Sequence, residues 1–541
     1  MCTSSQRDDI WASIDNHFDL IIIGGGITGG GIFREATAVG LKTLLVEAHD
    51  FASGTSSRSS KLVHGGFRYL KNGQLKVTFD SVRERERLLR EGRGLINQIG
   101  FIIATYKGDR IPTWTLGLGL TLYDLLAWKW GHQYYSADGL LNLCPQLNTN
   151  QLQGGYRYFD ALTDDARLVY RVIREGVIQG GIALNYARVV SLLRTHTGSV
   201  AGVNICDVNP VGEQRTKEIL STVVINATGA WVDEVRNMGA SEDNQRTNIL
   251  KLRKLRGSHL IFPYQKLPLT RAISVWHPSD KRPVFTFPWE NVTIVGTTDV
   301  DHDLAIETDP GISQSETYYL LEAVNFSFPS LSLTINDVQA TFSGIRTVID
   351  TGKKEPSKES REHIFWYEDG LLTVTGGKLT TFRLIARKVL QSLENTFSKI
   401  DSINAKTPIL AQPDTDILQD SFLNKNTLVK LFGRYGKDLE TFLAIADKSE
   451  LVPIRSTPNL WAEIRWAARK EAIVHLDDLL LRRVRLGLLL PCHGFSVIER
   501  IRSIVQVELG WDDERWAEEV NIYRNLIDKS YSLEPITKYK N

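Results

Sequence analysis

Asp19-Leu20-Ile21-Ile22-Ile23-Gly24-Gly25-Gly26-Ile27-Thr28-Gly29 joins an unbroken apolar run to a glycine-rich turn, and its reading sets the fold class. An apolar run without polar alternation describes a strand covered on both faces, as in a parallel sheet. Gly24, Gly26 and Gly29 match G-x-G-x-x-G. The first glycine permits a tight turn, and the second lets the backbone approach a pyrophosphate seated on a helix N-terminus. Residues 28–39 read as that helix and 42–47 as a second buried strand, completing one βαβ unit. Glu47 closes the second strand about 20 residues after the turn, where a carboxylate accepts hydrogen bonds from ribose hydroxyls. Phe33 departs from the pattern, since such helices usually carry a small residue there for close sheet packing.

Two later stretches return to the same theme. Asn226-Ala227-Thr228-Gly229 ends a strand with small residues that let backbone approach a cofactor. Thr375-Gly376-Gly377-Lys378-Leu379-Thr380-Thr381 is a second glycine-rich helix start, suited to a flavin's O2 side or ribityl chain. A cofactor held at three places along its length is FAD rather than NAD. None of the four cysteines lies in a cofactor motif, so the flavin is expected to be non-covalent.

The 541 residues are 42% hydrophobic and 23% charged, with a net charge of +1. That length suggests two to four units with ample core, and the balanced charge argues against nucleic acid as a partner. Cys2, Cys144, Cys206 and Cys492 are scattered, so neither a disulfide framework nor a metal site is expected. The polar, acidic N-terminus does not read as a signal peptide, and residues 1–17 read as a short extension. No apolar run is long enough to span a bilayer. Residues 80–100 read as a charged helix, and 182–228 alternate as strands. Further strands are expected near 258–263, 283–298 and 364–375. Pro408 and Pro413 suggest a linker, after which helices dominate, most clearly at 462–468 and 473–490. The expected fold is α/β: a discontinuous nucleotide-binding domain over 18–400, an inserted sheet-rich domain (roughly 81–150 and 250–345), and a helical C-terminal domain over 410–535.

The stretch from Ala52 to Leu70, including Lys61-Leu62-Val63-His64-Gly65-Gly66-Phe67-Arg68-Tyr69-Leu70, closely resembles the signature of FAD-dependent glycerol-3-phosphate dehydrogenases. Further matches are Asp164–Leu168, Arg256–His259, Val295–Asp299, Ser343–Arg346 and Gly376–Thr381, in order between residues 18 and 395. The tail containing Glu471–Asp478 is similar to bacterial members. The resemblance implies a Rossmann-like FAD/NAD(P)-binding fold of the glutathione-reductase type. It also implies oxidation of sn-glycerol 3-phosphate to dihydroxyacetone phosphate, with electrons passed through FAD to a membrane quinone. Around FAD it implies Gly24, Gly25, Gly26, Ile27, Thr28, Gly29, Glu47, Thr55, Ser56, Ser57, Ser60, Lys61, His64, Gly65, Gly66, Val189, Ala227, Thr228, Gly229, Gly377, Lys378, Leu379 and Thr380. For the substrate phosphate it supplies Arg68, Arg346, Arg361 and Lys378, with Tyr69 adding a phenolic hydrogen bond. Guanidinium forks match phosphate oxygens bidentately.

Oxidising an alcohol moves a hydride from C2 to the flavin while the hydroxyl loses its proton. His259 is the favoured base, Arg346 the stabiliser of the developing alkoxide, and His64 a neighbour of the flavin and the next candidate for the base. An oxidase passing electrons to O2 from the same pocket, and a non-catalytic carrier on the same fold, stay open as alternatives. Use of a quinone implies a cytoplasmic protein attached peripherally to the inner face of the cell membrane. Thr113–Trp130, rich in leucine and tryptophan, is the candidate contact, with an ordinary core helix as the competing reading. The sequence leaves a homodimer open.

Overall fold

The computed structural model describes residues 4–67, 74–109, 111–210, 214–238, 252–302, 306, 309–350, 363–404, 406–411 and 423–533. The strand His17–Ile23 pairs in parallel with Thr43–Val46 on one side and Thr216–Asn226 on the other. Ile182–Leu184 and Leu371–Thr375 extend this parallel sheet, and Ile364–Glu368 closes one edge antiparallel. Alternate residues of the opening run serve two different cores. Leu20 and Ile22 pack against the helices Ile27–Ala38, Asp165–Ile178 and Phe382–Gln391, whereas Ile21 and Ile23 pack with Trp11, Val203 and Ile205. Cover on both faces is the physical reason the run carries no polar alternation. Residues 4–13 are a helix tied into this second core, since Arg7 pairs with buried Asp207 at 2.8 Å.

A second, ten-stranded sheet draws its strands from Leu62–Val63 through Leu152–Thr163 and from Leu252–Pro263 through Ala340–Ile349. The charged helix runs over Leu75–Glu91 only. Gly92 ends it, and Ile96 already begins a strand, so the expected helix over 80–100 runs too far beyond Glu91. The expected linker is packed rather than loose at its start, because Ile409 and Leu410 are buried and the Pro408 carbonyl accepts a bond from Arg34. Pro413 lies outside the described residues.

The expected helix over 473–490 is broken in three. Val474 and His475 donate their N–H groups to Asp478, a π-helical turn follows at Asp478–Arg483, and Arg485 is left-handed (φ 56°) before a short helix at Leu486–Leu489. The arginines of this segment are drawn to distant buried carboxylates, which unwinds the periodicity. Arg482 and Arg483 reach Asp50, and Arg485 reaches Asp165. Burial alone would raise the Asp50 carboxyl, but the two guanidiniums hold it at about 2.

Thr113–Ala127 is a helix with one buried face, formed by Leu116, Leu120 and Tyr123. Its other face and the following turn are bare: Leu118 is 62% exposed, Leu125 61% and Trp128 92%. Asp124, which interrupts the apolar run in the sequence, is buried and bonds His132 Nδ1 at 2.7 Å.

Phe33 keeps the dinucleotide helix close because its neighbour, not itself, is small. A Cβ on Gly176 would lie 2.5 Å from the Phe33 ring, and one on Gly181 would lie equally close. Gly176→Ala should therefore destabilise the domain by about 1–3 kcal/mol through overpacking, read as a lower Tm. Adding Phe33→Leu should restore most of the loss. Equal Tm values for Gly176→Ala and wild type would show that the ring yields and that the two glycines are not its complement.

Candidate functional site

A cavity of about 620 Å³ opens at the carboxyl ends of the parallel strands, where ligands bind in open α/β sheets. The turn contributes Gly24, Gly26, Ile27 and Thr28, and the second strand contributes Glu47. Thr55, Ser56, Val189 and Ala227–Gly229 line its middle segments, and Arg346 and Gly376–Leu379 complete it.

The glycines of the turn answer to contacts. Gly24 has φ +113°, and a Cβ on it would lie 2.6 Å from the Ala227 carbonyl oxygen. A Cβ on Gly29 would overlap the Gly24 carbonyl oxygen, with backbone on both sides unable to yield. Gly26 is the N-cap and offers no side-chain cap of its own. Ile27 N–H donates to Ser56 Oγ at 3.0 Å, which ties the loop 53–61 to the helix start. Glu47 is fixed in advance: its Oε2 accepts from Gly25 N–H at 2.7 Å and its Oε1 from His49 N–H at 2.9 Å. Burial raises its carboxyl, and the two N–H groups oppose that rise. A tight glycine cradle, a helix start facing the cavity and an oriented acid fit the pyrophosphate and ribose of a dinucleotide.

Other expected residues stand away from this wall. Ser57, Ser60, Lys61, His64, Gly65, Gly66 and Thr380 do not line the cavity. The Lys61 ammonium is fully buried and donates to Asp165 at 3.0 Å and to the Ser57 carbonyl at 3.2 Å. Burial and the neighbouring Arg485 bring it down to about 8 against the pull of Asp165. It is an interior ion rather than a cofactor ligand. Thr380 clamps the bend at His64, accepting from its N–H at 3.1 Å and donating to its carbonyl at 3.3 Å. This brings the histidine to the second glycine-rich turn. Arg68, Tyr69 and Arg361 lie outside the described residues.

Arg346 reaches the cavity while paired with Asp299, a buried carboxylate that also faces Arg282 at 3.5 Å. Lys378 donates to Ser81 Oγ at 3.4 Å and lines the same cavity. The sequence reading gave Asp299 and Asp165 no role. Both lie inside quoted motifs, but their cation partners are distant in the chain, so no local signal marks them.

His259 is only 2% exposed and sits behind the loop rather than on the cavity wall. Its ring stacks on Phe342 at 4.4 Å, and a Cβ on Gly296 would overlap it from another side. Its Nε2 is 2.9 Å from Ser60 Oγ, and its Nδ1 has no hydrogen-bond partner among the described residues. Burial, then Lys61, and finally Arg346 bring the imidazole down to about 3, with Asp165 opposing them. The ring is neutral near pH 7, and its one polar contact leads to Ser60.

Residues 19–383 match the family model described as FAD dependent oxidoreductase, and 405–516 match the C-terminal domain of alpha-glycerophosphate oxidase. The aerobic glycerol-3-phosphate dehydrogenase of Staphylococcus haemolyticus is 32% identical over 507 residues, covering 88% of each chain. That of Staphylococcus aureus (strain MRSA252) is 32% identical over 502 residues, again 88% of each. The solved glycerol-3-phosphate dehydrogenase from Bacillus halodurans, complexed with FAD, superposes with a TM-score of 0.78 at 25% identity over the whole of both chains. L-alpha-glycerophosphate oxidase from Mycoplasma pneumoniae shares the fold at a TM-score of 0.55 and 18% identity, over 70% of this chain and 95% of its own.

Burial of a neutral His259 has a consequence for acid stability. Its pKa is about 3 in the folded chain and about 6.5 when unfolded. Between those values the unfolded chain binds a proton that the folded chain does not. The contribution is therefore fully present above the unfolded pKa and is lost as pH falls toward the folded one, by at most about 1.4 kcal/mol per pH unit. Tm measured from pH 8 to 5 should fall more steeply for wild type than for His259→Asn. Parallel curves would place the acid-sensitive group elsewhere.

Proposed function

This chain belongs to the family of FAD-dependent glycerol-3-phosphate dehydrogenases, and on that premise we propose that it oxidises sn-glycerol 3-phosphate to dihydroxyacetone phosphate. The electrons then pass to a quinone in the membrane. One observation carries the reading: Arg346 and Lys378 line the same cavity as the dinucleotide turn. A small phosphorylated alcohol needs cations within reach of the hydride acceptor, and charge-assisted bonds to phosphate are the strong ones. Bound FAD supplies that acceptor. Gly24, Gly26, Thr28, Glu47, Ser56, Val189, Thr228 and Gly377 would hold it. Gly25 and Gly29 shape the turn behind them.

The residues around the reacting hydroxyl divide the remaining work. Arg346, kept in place by Asp299, steadies the developing alkoxide. The proton of the C2 hydroxyl is taken up toward His259, whose Nε2 lies 2.9 Å from Ser60 Oγ just behind the wall that Ser59 lines. Burial, Lys61 and Arg346 depress the imidazole. A phosphate dianion beside Arg346 offsets that cation's share of the depression, while burial and Lys61 remain. His64, beside the second glycine-rich turn, flanks the flavin and is the alternative base. Arg68, Tyr69 and Arg361 are added to the phosphate pocket on family resemblance alone.

A quinone stays in the bilayer, so its reductase must dock there. Among the described residues no helix is long and apolar enough to cross a membrane. The exposed face of Thr113–Ala127, with Trp114, Leu118, Leu125, Trp128 and Trp130, supports peripheral attachment. Aromatic rings suit the interface, and the only carboxylate of that helix, Asp124, is turned inward.

Arg346→Ala and Lys378→Ala should each lower kcat/KM for glycerol 3-phosphate by about 10- to 100-fold, the equivalent of about 1.5–3 kcal/mol for a charged hydrogen bond. Flavin content should stay at wild-type level. Near wild-type kcat/KM in Arg346→Ala would remove its assigned role.

Wild-type protein should float with liposomes, and a folded Trp128→Ser/Trp130→Ser variant should float markedly less. Wild-type protein that stays off lipid and reduces O2 as fast as quinones would favour the oxidase alternative. Unchanged flotation of the variant would move the contact to another surface.

A further inference from the structure

The loop 53–61 reads Ser-Gly-Thr-Ser-Ser-Arg-Ser-Ser-Lys and brings no apolar side chain of its own to a core. Only hydrogen bonds and ion pairs can fix its course. Ser56, on the cavity wall, accepts from the start of the dinucleotide helix at 3.0 Å, and Ser60, behind the wall, meets His259 at 2.9 Å. The residues between them are held from behind. Asp165 Oδ2 accepts from Ser59 N–H and Oγ at 2.9 and 2.8 Å, and its Oδ1 accepts from Lys61 and from Arg485. Arg485 also donates to the Ser57 carbonyl at 3.0 Å and to the Leu481 carbonyl at 2.5 Å. At the next position, Arg58 donates to the Tyr531 hydroxyl at 3.0 Å, and that hydroxyl donates to Asp309 at 2.8 Å.

Arg485 and Tyr531 belong to the C-terminal region, more than 400 residues along the chain from the loop they hold. Arg485, Lys61 and Asp165 are all buried. A desolvated ion cluster is weak as a source of stability, since apolar packing of the same volume serves as well or better. What it does supply is direction, because each guanidinium and carboxylate oxygen accepts partners only along fixed lines. The left-handed backbone at Arg485 aims its side chain at Ser57 and Asp165 together.

We infer that Arg485 and Tyr531 are positioning residues, through which the C-terminal region sets where Ser56 and Ser60 stand relative to the dinucleotide helix and His259. This rests on the reading of the cavity as the FAD and substrate site. The C-terminal region is thereby part of the working site although none of its described residues lines the cavity.

The test uses purified holoenzyme of wild type, Arg485→Met, Arg485→Lys and Tyr531→Phe. Arg434→Met serves as control, because it breaks the equally buried pair with Glu463, which does not touch the loop. Visible circular dichroism of the bound flavin, retention of FAD on dilution, kcat and Tm are read for each. Arg485→Met should lose about 10- to 100-fold in kcat, as misplaced site groups commonly do, with a changed flavin dichroism and faster FAD loss. Arg485→Lys keeps one acceptor and should fall between, Tyr531→Phe should shift the flavin signal less, and Arg434→Met should lower Tm alone. A fall in kcat that tracks Tm equally in Arg485→Met and Arg434→Met would overturn the inference. If Arg485→Met does not fold, wild-type flavin signal and kcat in both Arg485→Lys and Tyr531→Phe would overturn it instead. If wild-type protein fails to turn over glycerol 3-phosphate while the flavin signal still responds to these variants, the substrate reading falls and the positioning role stands.

Discussion

The Asp165 carboxylate accepts hydrogen bonds from Ser59, Lys61 and Arg485 where solvent does not reach. Removing any one cation from such a cluster would leave charge uncompensated, so its members constrain one another tightly. Through that carboxylate, the helix Asp165–Ile178, the polar loop 53–61 and the C-terminal region meet at one point. The helix packs on the dinucleotide helix, the loop ties to its N-terminus, and Ser60 touches His259. The cavity wall is thus fixed from outside the cavity.

A similar division runs through the electrostatics. Arg346, which faces the cavity, is held by a carboxylate behind it: Asp299 pairs with it without covering the cavity that Arg346 lines. Lys61, which has no cavity face, acts instead on the imidazole of His259, and with burial it keeps the ring neutral.

What could be read from the sequence follows the range of the interactions involved. The strand at Leu20–Ile23 and the turn at Gly24–Gly29 are decided within a dozen residues, by cover on both faces and by backbone contact, and they read correctly. The helix over 473–490 did not, because Arg482, Arg483 and Arg485 answer to Asp50 and Asp165, hundreds of residues away. Lys61 stands among the residues expected around FAD until Asp165 is placed beside it. His259 sits in a recognisable motif, but its burial depends on Phe342 and Gly296, which only the folded sheet brings together. The tryptophan-rich segment left a membrane contact and a core helix both open in the sequence, because the inward turn of Leu116, Leu120 and Tyr123 depends on Phe101 and Tyr158 of the second sheet.

The central claim is that the cavity joins a flavin to a phosphorylated alcohol. Its most direct measurement is anaerobic absorbance of the bound flavin near ~450 nm, the oxidised-flavin band of the cofactor the site is built to hold, on addition of glycerol 3-phosphate, glycerol, lactate or amino acids in turn. Bleaching by glycerol 3-phosphate at concentrations where the other compounds leave the band intact is the predicted result. Bleaching by an amino acid or by lactate, with glycerol 3-phosphate inert, would contradict the account.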